Sequence, residues 1–280
     1  MKRSNKRIIP GFGLSMGVTV TLLSVIVLIP LASLVIFTAQ LSFSDIIAVI
    51  TRDRVLASFK VSFLTAFVAS LINAVMGVIL AWVLVRYDFP FKRILDGMIE
   101  LPFALPTAVA GIALTSLTAD KGIIGSFFAR FGIKIAYTRA GITVALVFIG
   151  IPFVVRAVQP VLEKLDGSLE EAASTLGASR SRTFWQVIFP EIMPAVFTGF
   201  GLAFGRCLGE YGSVVFIAGN QPFETEITPL IIMSELQEYD YASATAIALV
   251  MLAASFLILF LVNLIQVRNS KILRGGGKGA

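Results

Sequence analysis

The 280-residue sequence contains no histidine and a single cysteine, Cys207. Disulfides within the chain, zinc sites built from Cys and His, and histidine-based acid–base catalysis are thereby excluded, and with them most soluble-enzyme mechanisms. Charge is also scarce, at 14% of residues against 57% hydrophobic, with a mean hydropathy of +0.90. No group of carboxylates stands at metal-binding spacing, so neither a metal site nor a catalytic residue is expected.

What is abundant is uninterrupted apolar sequence. Several runs exceed the roughly 20 residues a helix needs to cross a hydrocarbon core about 30 Å thick. A transmembrane barrel would instead show short alternating segments. An all-α membrane protein is therefore expected, because backbone groups in lipid must be satisfied within a helix or a closed barrel. The net charge of +6 does not point to nucleic acid, since the basic residues are scattered over the connections rather than gathered on one face.

Six apolar segments are expected to span: about 12–39, 59–85, 98–117, 142–158, 192–218 and 242–267. The N-terminal MKRSNKRIIP has the polarity of a signal peptide, but the run behind it is too long for a signal core and no A-x-A-like site closes it. It reads as a retained first helix. With the N-terminus cytoplasmic, fifteen Lys and Arg fall inside, among them Lys2, Arg3, Arg86, Lys92, Arg156, Arg180 and Arg268. Seven fall outside, Arg52, Arg54, Lys60, Lys121, Arg130, Lys134 and Arg139, so both termini are expected in the cytoplasm. The connection 219–241 is acidic and free of basic residues. The closing GGGKGA resembles a P-loop only superficially: no glycine stands five positions before Gly277 and no Ser or Thr follows Lys278.

Two stretches break the apolar pattern. LPFALPTAVAG (101–111) carries Pro102 and Pro106 ahead of Thr107, which lowers helix regularity and lets neighbouring backbones approach; it is read as a kinked packing helix or as a break lining a polar path. FGRCLGEYGS (204–213) places Arg206 and Glu210 four apart, close enough to pair on one helical face, with Gly205, Gly209 and Gly212 as a stripe of small residues. Both side chains should face protein or water rather than lipid, either locking the helix to its neighbours or bordering a polar path.

Between the fourth and fifth segments lies a connection of some thirty residues, about 161–190, on the side the charges make cytoplasmic. Ser168 is expected to cap a short helix, with Glu171 completing a capping box and Gly177 ending it. A second helical piece, about 180–188, should stop before Pro190.

EAASTLGASRSRTFWQVIFP resembles the EAA loop of ATP-binding-cassette importer permeases, whose pattern is E-A-A, three residues, Gly, nine residues, then I-x-L-P. Glu171, Ala172, Ala173, Gly177 and Pro190 fall on it, with Val187 and Phe189 as conservative replacements. Together with LPFALPTAVAG, IPFVVRAVQPVLEKL, RCLGEYGSVVFIAGN and the N-terminal RIIPGFGLS, the chain is similar to the sulfate/thiosulfate branch, with molybdate permeases nearby. The resemblance implies a type I importer permease fold of six transmembrane helices: a cytoplasmic segment 1–11, a first helix and outer loop 12–57, a core 58–267 with the coupling loop, and a cytoplasmic tail 268–280. It further implies a multi-pass protein of a bacterial-type inner membrane. Its partners would be two ATPase subunits, a second homologous permease, an extracytoplasmic sulfate-binding protein and membrane lipid. No cofactor is expected in this chain, ATP and Mg being bound by the ATPase subunits. The alternatives are a molybdate/tungstate permease, an intramembrane enzyme acting on lipids, which nothing in the residues supports, and a channel, which would leave the EAA-like loop without a task.

Overall fold

A computed structural model describes residues 11–275, with side chains through 264; the basic N-terminal residues 1–10 and the end of the GGGKGA tail lie outside the described residues. The described residues fold as helices joined by turns. The apolar runs dictate the long ones: α1 (Phe12–Thr38), α3 (Asp53–Arg86), α8 (Arg139–Lys164), α11 (Phe189–Leu208) and α14 (Tyr241–Gly275). Shorter helices connect them: α2 (Phe43–Ile50), α4 (Lys92–Ile99), α5 (Leu101–Ala104), α6 (Thr107–Thr118), α7 (Ile123–Ala129), α9 (Ser168–Thr175), α10 (Arg180–Thr183), α12 (Val214–Ile217) and α13 (Thr228–Gln237).

By length and composition five helices can cross a membrane, and α6 with α7, bent by 41°, provides a sixth if the pair is one span. The third expected segment, 98–117, is thus not one helix. Its first residues end α4, its middle forms α5, and Pro106 opens α6. Proline lacks an N–H and pushes the residue before it out of the helical region, and Leu105 is accordingly extended at φ −89°, ψ 136°.

The centre of the molecule is the packing of α3, α8 and α11. Small residues set how closely they pack. A Cβ on Gly77 of α3 would lie 2.6 Å from Val154 Cγ1 of α8, and one on Gly199 of α11 would lie 2.7 Å from Val154 Cα. Val154, Val155, Val158, Leu162 and Ile192 are fully buried there. α14 packs on α11 and α13, and α1 lies against α14 with nearly all of its apolar surface exposed, as a helix facing lipid would.

The fifth expected segment also ends early. α11 stops at Leu208 with Gly209 as its cap, and the chain turns through 210–213 before α12 begins. At its other end α11 is continuous with α10 through a π-helical turn, Phe184–Ile188, so the second piece of the loop does not stop before Pro190. In the wider turn the Phe189 N–H reaches back to Phe184 O, and Pro190, at the second position of α11, is carried on within the helix.

Candidate functional site

The two sequence breaks meet. A Cβ on Gly111 of α6 would lie 2.7 Å from Ser213 Cα, and one on Gly212 would collide with the Oγ1 of Thr107. The start of α6 is thus seated against the turn between α11 and α12 with no room for side chains between them. The N–H groups of residues 107–109 precede the first intrahelical bond of α6, from Ala110 N–H to Pro106 O at 3.1 Å, and so carry the positive end of the helix dipole into this junction.

Glu210 organises the other half. It is 2% exposed, and Arg206 Nη1 lies 2.6 Å from its Oε2 while Oε1 accepts from the Ser213 N–H at 2.9 Å and the Ser213 hydroxyl at 3.0 Å. A buried carboxylate is thereby neutralised and holds the turn in shape. The i, i+4 pair forms, but not on a helical face, since Glu210 lies beyond the cap with its N–H bonded to Cys207 O at 3.2 Å. Arg206 itself is about one-third exposed and borders a hollow of about 420 Å³ between α11 and α14, lined also by Gly201, Gly205, Leu259 and Asn263. The glycines do not form one stripe. Gly205 faces Leu259 of α14, a Cβ on Gly209 would meet nothing, and Gly212 faces Thr107, because the helix that would align them ends at Leu208.

Thr107 and the turn held by Glu210 thus share one junction, to which Arg206 is joined through its ion pair with Glu210 while its exposed part borders the hollow between α11 and α14. Pro106 is exposed at the mouth of α6. Pro102 is buried in α5, on the far side of the break, where the adjacent Phe103 stands edge-on to Phe153 of α8 at 5.2 Å and 87°. Its position is one of packing.

The second site is the connection between α8 and α11. Ser168 does not cap α9, and the expected capping box is absent: Ser168 is the first helical residue, Gly167 stands at the cap, and Asp166 just before it accepts from the Ser168 N–H through its Oδ1 at 3.1 Å. That contact holds the Asp166 carboxyl below the usual carboxylate range. Asp166 is two residues upstream, which lets its short side chain fold over the helix start more easily than the serine hydroxyl. The C-terminus is as expected. Gly177 has φ +76°, Ala178 N–H donates to Ala173 O and Gly177 N–H to Ser174 O, the paired bonds of a Schellman stop. Around that turn Glu171, Ala172 and Gly177 are exposed, with Leu176 89% exposed and Trp185 59%, whereas Ala173 is buried against the fold. Such a ledge of small residues, flanked by bare apolar side chains, is suited to close approach by another protein surface. Pro190 lies apart from it, at the start of α11.

Sequence reasoning missed the ties at the opposite end of α3. Arg54 donates Nε and Nη2 to the two oxygens of buried Glu226, at 2.8 and 2.6 Å, and Arg52 lies 3.3 Å from Glu235. Ser62 Oγ accepts the Thr228 N–H at 2.8 Å beside them. Burial raises the Glu235 carboxyl above its ordinary range despite the neighbouring Arg52. The signal was present: the acidic 219–241 connection and the basic start of the second span were assigned to the same side. Arg54→Ala should lower stability by about 2 kcal/mol, less than the roughly 3–5 of a fully buried pair because half of Arg54 is in solvent. Thermal unfolding in detergent measures it, and Glu226→Gln in the same background should recover most of the loss.

The family description "binding-protein-dependent transport system inner membrane component" matches residues 73–271. The chain is 51% identical over 272 residues to the sulfate transport system permease protein CysT of Escherichia coli (strain K12), covering 97% of this chain and 98% of that one. It is 47% identical to the protein of the same name from Synechocystis, over 89% of this chain and 87% of that one. Among solved structures, a bacterial ABC transporter involved in the import of the acidic polysaccharide alginate superposes with a TM-score of 0.76 at 15% identity, over 91% of this chain and 94% of its own. That likeness is one of fold. By matched sequence and by architecture, this chain belongs to the binding-protein-dependent permeases, the membrane components of ATP-binding-cassette importers rather than enzymes.

Proposed function

We propose that this chain forms the transmembrane pathway of an ATP-driven importer of sulfate and thiosulfate. The observation that carries the reading is the 51% identity over 97% of the chain to a protein named as a sulfate transport permease. Its partners would be two ATPase subunits, which bind ATP and Mg, a second homologous permease, and an extracytoplasmic binding protein that delivers the anion. The membrane would be a bacterial-type inner membrane, with both termini and α9 on the cytoplasmic face and the Arg54–Glu226 end outside.

The mechanism follows from where the chain is broken. ATP-driven closure of the ATPase pair would move α9, and the helix bundle would exchange inward- and outward-open states. In this reading the junction of α6 with the 209–213 turn would offer the anion backbone N–H groups and Thr107, with Arg206 beside it contributing positive potential. Glu210 takes up much of the Arg206 charge, so the anion would be held weakly and released readily, with selectivity resting on the binding protein.

Co-purification of the assembled complex, followed by an ATPase assay with sulfate-loaded binding protein, tests the reading. Stimulation by sulfate and thiosulfate supports it, and stimulation by molybdate alone overturns the substrate. Gly177→Asp or Glu171→Lys should reduce sulfate uptake at least about tenfold while basal ATP hydrolysis continues. The first forces a side chain into a left-handed φ and both add charge to the exposed ledge. Unchanged substrate stimulation in the assembled complex would remove the coupling role.

A further inference from the structure

α9 stands on a short leash. Its neighbours in the fold are α10 and the π turn that follow it in the chain, and among the described residues the one ion pair from α9 to a membrane-spanning helix is that of Glu170 with Arg86, at the last position of α3. The Arg86 Nη2 to Glu170 Oε1 distance is 2.7 Å, at an angle that leaves both atoms without a directed hydrogen bond although each is buried. The Arg86 guanidinium also lies 5.7 Å from the centre of the Trp82 ring one turn earlier on α3. Trp82 in turn stands edge-on to Phe184 at 5.3 Å and 86°, and Phe184 opens the π turn that leads into α11. These groups wall a hollow of about 480 Å³ whose other sides are formed by Glu171, Arg180 and Ile188.

We infer that Arg86 is a positioning residue for coupling: with Glu170, Trp82 and Phe184 it forms the strut by which displacement of α9 is passed to α3 and α11 together. A helix fastened only to α10 and the π turn would pull on α11, with which they are continuous, and leave α3 behind. The Glu170–Arg86–Trp82–Phe184 chain fixes α9 to two of the three helices that pack at the centre, so that a shift at the ledge is delivered to the same α11 that carries Arg206 in its last turn. The off-axis ion pair and the hollow beside it leave the contact free to realign or part, which a two-state strut requires. The inference rests on the importer reading, since it needs an ATPase to move α9.

The test uses the full complex of this chain with its ATPase subunits, companion permease and binding protein in proteoliposomes, reading sulfate accumulated per ATP hydrolysed. Arg86→Ala and Glu170→Ala should each co-purify with the ATPase yet lower that ratio at least about fivefold, the low end of coupling between distant sites. The exchange Arg86→Glu with Glu170→Arg should restore at least half of it. Wild-type ratios in both single variants, or an exchanged pair as impaired as either single change, would overturn the inference. Should Arg86→Ala fail to assemble, Trp82→Leu, which keeps the ion pair and removes the ring between Arg86 and Phe184, must lower the ratio; a wild-type ratio there also overturns it. An unmodified complex that does not respond to sulfate-loaded binding protein would instead overturn the importer reading itself.

Discussion

Sulfate uptake in cells carrying Arg206→Ala is expected to fall at least about 100-fold, equivalent to about 3 kcal/mol and the lower end of what breaking a buried ion pair costs. The loss has two possible origins that the geometry keeps separable. Glu210 is 2% exposed, so removing Arg206 strands a carboxylate held otherwise only by Ser213. The double variant Arg206→Ala with Glu210→Gln removes that stranded charge, because a neutral amide still accepts from Ser213 while burying no ion. If the pair is purely a brace, the double variant recovers both thermal stability and uptake. If Arg206 acts on the anion, the double variant recovers stability and assembly but not uptake, which is the outcome expected from its one-third exposure on a hollow. Radiolabelled uptake and unfolding midpoints of the purified complex decide between them.

Gly111→Val should also impair uptake, to a smaller extent. The junction exists because α6 sits directly on the backbone of Ser213, where even a Cβ would lie 2.7 Å from the Ser213 Cα and closer still to its carbonyl oxygen. Backbone cannot rotate aside as a side chain can. The substitution therefore has to separate the two breaks, at about 1–3 kcal/mol of overpacking, and uptake should drop more than about tenfold. Gly17→Val in α1 provides the matched control, since a Cβ there would meet nothing within 4 Å and stability and uptake should be unchanged. Equal transport by the two variants would mean that the close seating of α6 plays no part in the pathway.

The sequence made some of this plain. The run 12–39 became α1 nearly as drawn, and 142–158 became the middle of a longer α8, because a length of apolar residues allows the backbone only one economical way through lipid. Gly177 was legible for the same local reason: a helix that ends at a glycine uses its left-handed φ whatever surrounds it. The cap of α9 was not, since Ser168 and Asp166 are both good capping residues and a shift of two positions decides between them. The π turn was also hidden, because Pro190 reads as a stop unless the preceding turn widens to accommodate it.

Arg206 and Thr107 show where local reading ends. Each was singled out in its own stretch, one for charge in an apolar run, the other for the prolines beside it, and nothing in either stretch refers to the other. The same holds for Arg54 with Glu226 and Arg86 with Glu170, pairs separated by 172 and 84 residues. By itself the sequence determined that the chain is helical and membrane-spanning, where most spans lie, that histidine chemistry and disulfides within the chain are excluded, and which loop resembles the coupling loop of importer permeases. Only the tertiary structure decided that two helix breaks share one junction, that Glu210 is buried with its charge matched, and that α9 is tied to α3. The physical reason is that hydropathy and turn chemistry act between neighbours in the chain, whereas close backbone approach and charge pairing in a low-dielectric interior depend on which helices pack side by side.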